Sequence, residues 1–235
     1  MNARRAAREL ALLTLFQLDK QGNGQLDKTQ LQKENIQSLM LASVRALSGE
    51  AEFQIQTAAS QLADVSRYLI EYEVEHPSNL ETPLDVKAKP VPIPSTREMV
   101  EKIESCLQSA EYLFEALRIP ELVALLQAED VQDYARQLMV LVAEHAADLD
   151  EMLNSRMEDW RMDRLVKMDA YILRLAAAEM KYVPNVDLSV SINEAVDLAK
   201  QFSSDESYRL INGILGALAE ALSPETGKAL TGVYR

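Results

Sequence analysis

The stretch SVSINEAVDLAKQFSSDESYRLINGILGAL, Ser189 to Leu218, reads as two helices joined at a polar corner. Val190, Ile192, Val196, Leu198 and Phe202 fall close to a helical period, and Leu210, Ile211, Ile214, Leu215 and Leu218 form a second stripe. Between the stripes lies Ser203-Ser204-Asp205-Glu206. Ser203 or Ser204 can cap the second helix, which puts the acidic pair in its first turn, where the helix dipole favours negative charge. Gly213 and Gly216 each cost about 1 kcal/mol relative to Ala inside a helix. Close approach of a neighbouring helix is the expected reason for them.

Outward from this stretch, composition points the same way. The chain has 235 residues, enough for one substantial core or a core with an appendage. Its seven glycines include none between Gly49 and Gly213. So long a run rich in Ala, Leu, Glu and Gln predicts helices rather than hairpins. Lys and Arg number 24 against 37 Asp and Glu, a formal charge of −13. That balance argues against broad affinity for nucleic acid or membranes and makes any basic cluster informative. The single cysteine, Cys106, excludes an internal disulfide and fits a reducing compartment. No apolar run approaches the ~20 residues needed to cross a bilayer, so a cytoplasmic protein without membrane contact is expected.

Ala3 to Leu18 is predicted to be an amphipathic helix with Ala6, Ala7, Leu10, Leu13 and Phe16 inward. Arg4, Arg5 and Arg8 crowd its start, where cations oppose the dipole. Such a local conflict is expected of a functional site. Residues 19–30 partly match a calcium-binding loop, but Gln21 and Gln30 stand where acidic ligands belong. A Gly/Asn turn with Asp27 or Thr29 capping the next helix is expected instead, and no metal site is assigned.

Two helices are predicted over 27–47 and 50–72, broken at Ser48-Gly49, the second lined by Phe53, Ile55, Leu62, Leu69 and Ile70 among others. His76 to Pro94 holds five of the eight prolines and reads as an extended strap across the protein's own helices. Ser95-Thr96-Arg97-Glu98 is a capping box opening a helix to about Arg118, with Met99, Ile103, Leu107, Leu113, Phe114 and Leu117 inward. A short helix from Pro120 to Gln127 follows, then one opened by Asp130 or Asp133. The acids Asp148, Asp150 and Glu151 suit a helix start rather than a metal. Trp160, among Arg156, Arg161 and Arg164, reads as a half-buried anchor. Leu165, Met168, Ile172, Leu175, Ala176 and Met180 form a core stripe that ends at Tyr182-Val183-Pro184-Asn185. A short tail helix is expected from Ser223-Pro224, with a frayed end from Gly227. His76 and His145 have no nucleophile or acid partner at a recognisable spacing, so no catalytic residue is assigned.

Three anchors carry a resemblance. Ile192-Asn193-Glu194-Ala195-Val196 with Leu198-Ala199-Lys200-x-Phe202 and Asn212-Gly213-Ile214-Leu215 resembles the C-terminal signature of the NusB family of transcription antitermination factors. Arg4-Arg5-Ala6-Ala7-Arg8-Glu9-Leu10-Ala11, followed by Leu15-Phe16-Gln17, is similar to that family's arginine-rich first helix. Leu173-Arg174-Leu175-Ala176 and Glu179 resemble its central helix, and the three fall in the family's order.

The resemblance implies an all-α, NusB-like bundle: one domain over 1–235, with 131–222 as the family core and 20–130 as an inserted helical region. It implies a non-enzymatic adaptor without cofactors. Such an adaptor binds boxA-type single-stranded RNA in nascent ribosomal RNA, together with the small-subunit ribosomal protein that acts as NusE, in the RNA polymerase antitermination complex. The alternative is a NusB-fold protein–protein module that binds no RNA. NusB-like domains also precede RNA cytosine methyltransferases, but a Gly-rich cofactor loop and a catalytic Cys are not found in the sequence. Carried over position by position, Arg4, Arg5 and Arg8 match the RNA-contacting arginine motif, and Glu206, Tyr208 and Arg209 match the corner near RNA. Leu210 stands where the family can carry an aromatic, and Tyr208 is the available substitute. Asp169 matches a position facing the ribosomal protein. Glu194 belongs to the signature, and Asn193, Asn212 and Gly213 match signature positions with structural roles: buried amide hydrogen bonds and a tight helix contact. A homodimer is compatible with the resemblance.

Overall fold

The computed structural model describes residues 2–21, 33–81, 86–87, 89–92, 94–157, 161–204 and 206–228. Among them every regular element is helical: α1 (Ala3–Gln21), α2 (Lys33–Glu75), α3 (Thr96–Leu125), α4 (Glu129–Glu144), α5 (Ala146–Asn154), a 3₁₀ turn (Met162–Arg164), α6 (Lys167–Tyr182), α7 (Leu188–Phe202) and α8 (Ser207–Thr226). The expected all-α class is what the chain adopts. The chain divides into two compact units, Met1–Val44 with Leu122–Arg235, and Arg45–Glu121. The second lies inside the stretch 20–130. The calcium-like loop beyond Gln21 and Trp160 fall outside the described residues, while Asp19, at the loop's start, is buried against Lys167 Nζ at 2.9 Å.

In the first unit α6 is the central element, touching α1, α4, α5, α7 and α8. Its sequence explains why. Ala176, Ala177 and Ala178 keep one stretch thin enough for neighbours on every side, and Ile172, Leu173, Leu175 and Met180 fill the gaps between them. The predicted stop holds. Val183, Pro184 and Asn185 follow the helix, with Asn185 in the left-handed region at φ 61°, a conformation that Asn tolerates better than most residues. Of the tail expected to fray from Gly227, only Gly227 and Lys228 lie within the described residues. Lys228 Nζ donates to the carbonyls of Met180 and Val183, each at 2.6 Å. A cation there satisfies orphan acceptors at the C-terminal end of α6 and suits its dipole.

The second unit is an antiparallel hairpin of α2 and α3. Ser109 Oγ donates to Gln61 Oε1 at 3.0 Å, and Lys102 Nζ lies 4.6 Å from the Tyr68 ring centroid. The capping box forms as predicted: Ser95 N donates to Glu98 Oε2 at 3.0 Å and Glu98 N to Ser95 Oγ at 3.4 Å. Asn79, buried beyond α2, donates to the carbonyls of Glu73 and Lys89, both at 2.8 Å, and accepts from Lys89 N.

Three helix boundaries differ from expectation. α2 runs through Ser48-Gly49 because a lone helical Gly weakens a helix by only about 1 kcal/mol. α3 runs through Pro120, and α8 runs through Pro224 to Gly227, whose φ of 64° ends it. His145 separates α4 from α5, stacked on Tyr182 with ring centroids 4.1 Å apart.

Side-chain placement differs more. Phe53, Ile103, Leu107, Phe114 and Leu117, all expected inside, are exposed. Among the described residues that α2 and α3 contribute to the second unit, Ala51, Ala58 and Ser109 are buried instead.

Candidate functional site

The arginine-rich start of α1 does not act as one cluster. Arg4, Arg5 and Arg8 leave the helix in different environments. Arg8, 4% exposed, donates from Nε to Glu179 Oε1 at 2.8 Å, and its Nη1 lies 3.5 Å from Glu194 Oε2. Arg5 is half-buried, with Nη1 3.0 Å from Asp197 Oδ2. Arg4 is exposed, its guanidinium 5.4 Å from the Tyr134 ring centroid.

Glu179 is the junction of this region. It is buried within the apolar surface of α6, a place where a lone carboxylate is costly unless it is paired. Oε1 accepts from Arg8 Nε and from Tyr134 Oη, and Oε2 accepts from Ser191 Oγ at 2.6 Å. Four helices meet there: α1, α4, α6 and α7. Burial, then the Glu179 carboxylate, pushes the Tyr134 phenol well above its ordinary range, so that it donates at any physiological pH. The sequence held one sign of this. Glu179 lies three and four residues from Ala176 and Leu175, so it sits on the core face of a helix, where a charge implies a buried partner.

Arg8 was expected among RNA contacts, but burial against Glu179 withdraws it from the surface. It fixes α1 against α6 and α7 and so sets where Arg4 and Arg5 stand.

The α7–α8 corner is built on a second buried carboxylate. Asp169, 3% exposed, accepts from Ser203 Oγ at 2.5 Å on Oδ1 and from Ser207 Oγ at 2.8 Å on Oδ2. Ser204 Oγ and Ser207 Oγ are 2.9 Å apart. The serines expected to cap α8 therefore bind Asp169 and one another. Asp169 was expected to face a protein partner. It lies in the first turn of α6, where the dipole favours its charge, and two hydroxyls occupy its oxygens.

Above that base stand Tyr208 and two cations. Lys200 Nζ is 5.4 Å and the Arg209 guanidinium 5.6 Å from the Tyr208 ring centroid, and Arg209 Nε donates to Tyr208 Oη at 3.2 Å. Glu206 is exposed immediately before α8. Lys200 was not singled out by sequence, although a basic residue one helix away from an aromatic is the available signal.

α1 and α7 are tied in register. Arg5 meets Asp197, and Gln201 Nε2 donates to Glu9 Oε1 at 3.0 Å. Lys200 is three residues beyond Asp197, about 4.5 Å along the helix axis. The structure thus ties Arg5 to α7, which carries Lys200 beside Tyr208 and Arg209 of α8, while Arg4 lies against Tyr134 of α4. Glu194 joins them through Arg8. Two structural expectations change. Asn193 is exposed rather than a buried amide, and Asn212 is half-buried. A methyl group built at Gly213 or Gly216 meets nothing within 4 Å, so no tight helix contact explains either glycine.

Residues 96–220 match the family model described as NusB family. The chain belongs to the NusB family. Its relatives match over most of the chain. The transcription antitermination protein NusB of Crocosphaera subtropica is 36% identical over 213 residues, 90% of this chain and 92% of the relative. That of Gloeobacter violaceus is 35% identical over 225 residues, 96% and 98% of the two chains. That of Synechocystis sp. is 34% identical over 218 residues, 92% and 90%. These NusB proteins have the length of this chain, so the stretch 20–130 has a counterpart in them. Among the described residues no helix is long and apolar enough to cross a membrane.

Proposed function

We propose that this chain is a non-enzymatic adaptor of transcription antitermination, acting in the cytoplasm. It binds boxA-type single-stranded RNA of nascent ribosomal RNA, together with the small-subunit ribosomal protein that serves as NusE, within the RNA polymerase antitermination complex. The cations and aromatic side chains of α1, α4, α7 and α8 carry this reading: Arg4 beside Tyr134, Arg5 on the α7 side of α1, and Lys200 and Arg209 about Tyr208. Single strands are held by cations along the phosphates and by rings that stack bases, at about 1–3 kcal/mol per base. Glu206 adds an acceptor of the kind that takes the cytosine amino group. Arg8 and Asp169 serve from beneath as positioning residues.

So few cations on a body of charge −13 bind RNA weakly alone. Repulsion from the acidic surface acts within the ~8 Å screening length, and a basic ribosomal protein relieves it. Affinity is therefore expected from the pair rather than from either protein.

The test is retention of labelled boxA RNA by this chain with and without the ribosomal protein. Arg4→Ser with Arg5→Ser should weaken binding while helix content stays unchanged. The slope of log affinity against log salt should shrink by roughly 0.7 for each phosphate that is no longer neutralised. Binding within twofold of the parent would put the RNA elsewhere.

The second reading is a NusB-fold module that binds only proteins. The engagement of Arg5 by Asp197, and of Arg8 by Glu179 and Glu194, favours it, because these carboxylates compete with phosphate for the guanidinium groups. No RNA retention with or without the ribosomal protein would establish that reading over the first.

A further inference from the structure

The α2–α3 hairpin carries an apolar face that follows a coiled-coil repeat and is left uncovered. On α3 the stripe is Val100, Ile103, Leu107, Ala110, Phe114 and Leu117, with spacings of three, four, three, four and three. That is the a/d pattern of a heptad. Leu107 is 60% exposed, Phe114 70% and Leu117 71%. On α2, Ile55, Leu62 and Leu69 recur every seven residues and are exposed too. At 3.6 residues per turn, the α3 stripe is rotated by roughly 130° from Ser109, and the α2 stripe in the same sense by roughly 40° from Ala58 and roughly 100° from Gln61. In an antiparallel pair that rotation places both stripes on one side of the hairpin.

We infer that this face pairs with the same face of a second copy of the chain, so that two hairpins form an antiparallel four-helix bundle. Two observations select a second copy over another helical partner. The first is symmetry. The α3 spacings read the same in both directions, so a twofold axis between Leu107 and Ala110 sets Val100 opposite Leu117, Ile103 opposite Phe114, and Leu107 opposite Ala110. Each bulky residue in the outer layers meets another, and Leu107 meets the small Ala110, as an isologous contact requires. The second is area. At 150–250 Å² for an aromatic side chain and somewhat less for Leu, Ile and Val, the exposed fractions amount to roughly 500–850 Å² per chain. The upper part of that range reaches the share each partner contributes to a standard interface, about 800 Å², and exceeds the few hundred Å² of a typical exposed patch.

The inference rests on residues of the second unit and does not depend on the RNA site proposed above. Sedimentation velocity on the full chain at micromolar concentration should give a dimer. Leu107→Glu with Phe114→Glu should halve the particle mass with helix content retained. A parent chain that stays monomeric, or a variant that stays dimeric, overturns the inference. Should the variant lose helix content, crosslinking in a Cys106→Ala background decides. Chains carrying Val100→Cys mixed with chains carrying Leu117→Cys should form a disulfide-linked pair on oxidation, while each alone should not. Absence of the mixed pair overturns the inference as well.

Discussion

Helices α6 and α3 both carry a full complement of large apolar side chains, and the structure treats them in opposite ways. In α6, Ile172, Leu173 and Met180 have no exposed surface. In α3, Leu107, Phe114 and Leu117 are mostly exposed. The difference lies in what surrounds each helix. Five helices pack around α6, whereas within its own unit α3 has one neighbour, approached through Ser109 and other small or polar side chains. An apolar stripe states which side of a helix avoids water. It does not state whether the same chain supplies the cover.

This contrast can be broken by experiment, and the largest effect belongs to the polar centre beneath α6. Arg8→Ala leaves Glu179 buried without its cation, which should cost about 3–5 kcal/mol. Thermal unfolding followed by circular dichroism should show the midpoint falling by roughly 10 °C, at about 2–4 °C per kcal/mol for a chain of this size. A loss below about 1 kcal/mol would mean that α6 is less enclosed than described.

The next effect compares the two apolar stripes directly. Leu173→Ala should cost about 2–5 kcal/mol because the site lies inside a packed core. Leu117→Ala, measured in dilute solution where chains are single, should stay within about 0.5 kcal/mol. Equal losses at the two positions would show that α3 is covered by its own chain.

Smaller effects sharpen the local picture. Ser95→Ala removes the reciprocal cap of α3 and should cost about 1 kcal/mol in urea titrations of the hairpin. Gly213→Ala should stabilise the chain by about 0.5–1 kcal/mol, since a methyl group there meets nothing. Destabilisation would reveal a close neighbour at that glycine after all.

The two buried carboxylates show how far sequence reading reaches into the candidate site. Asp169 and Glu179 lie on one helix, and both were visible as acids near a core stripe. Their partners were not. Arg8 is 171 positions from Glu179, and Ser207 is 38 positions from Asp169. Only the packing of α1, α7 and α8 on α6 decides which arginine turns inward and which stays outside. Tyr134 and Lys200 entered the site for the same reason, through α4 and α7 respectively. The capping box at Ser95, in contrast, was legible because its two members are three residues apart and close on each other within one turn.

The sequence by itself determined the helical class, most helix positions, the family's signature and the presence of a guanidinium cluster at the front of an acidic chain. These follow from short-range rules: period, cap and turn chemistry, and residue order. Tertiary structure alone decided that Arg8 is a buried strut while Arg4 stays at the surface, that Asp169 holds a corner from beneath, and that the apolar residues of α3 face outward. Burial is a property of neighbours brought together from distant parts of the chain, and a helical period carries no information about which neighbours arrive.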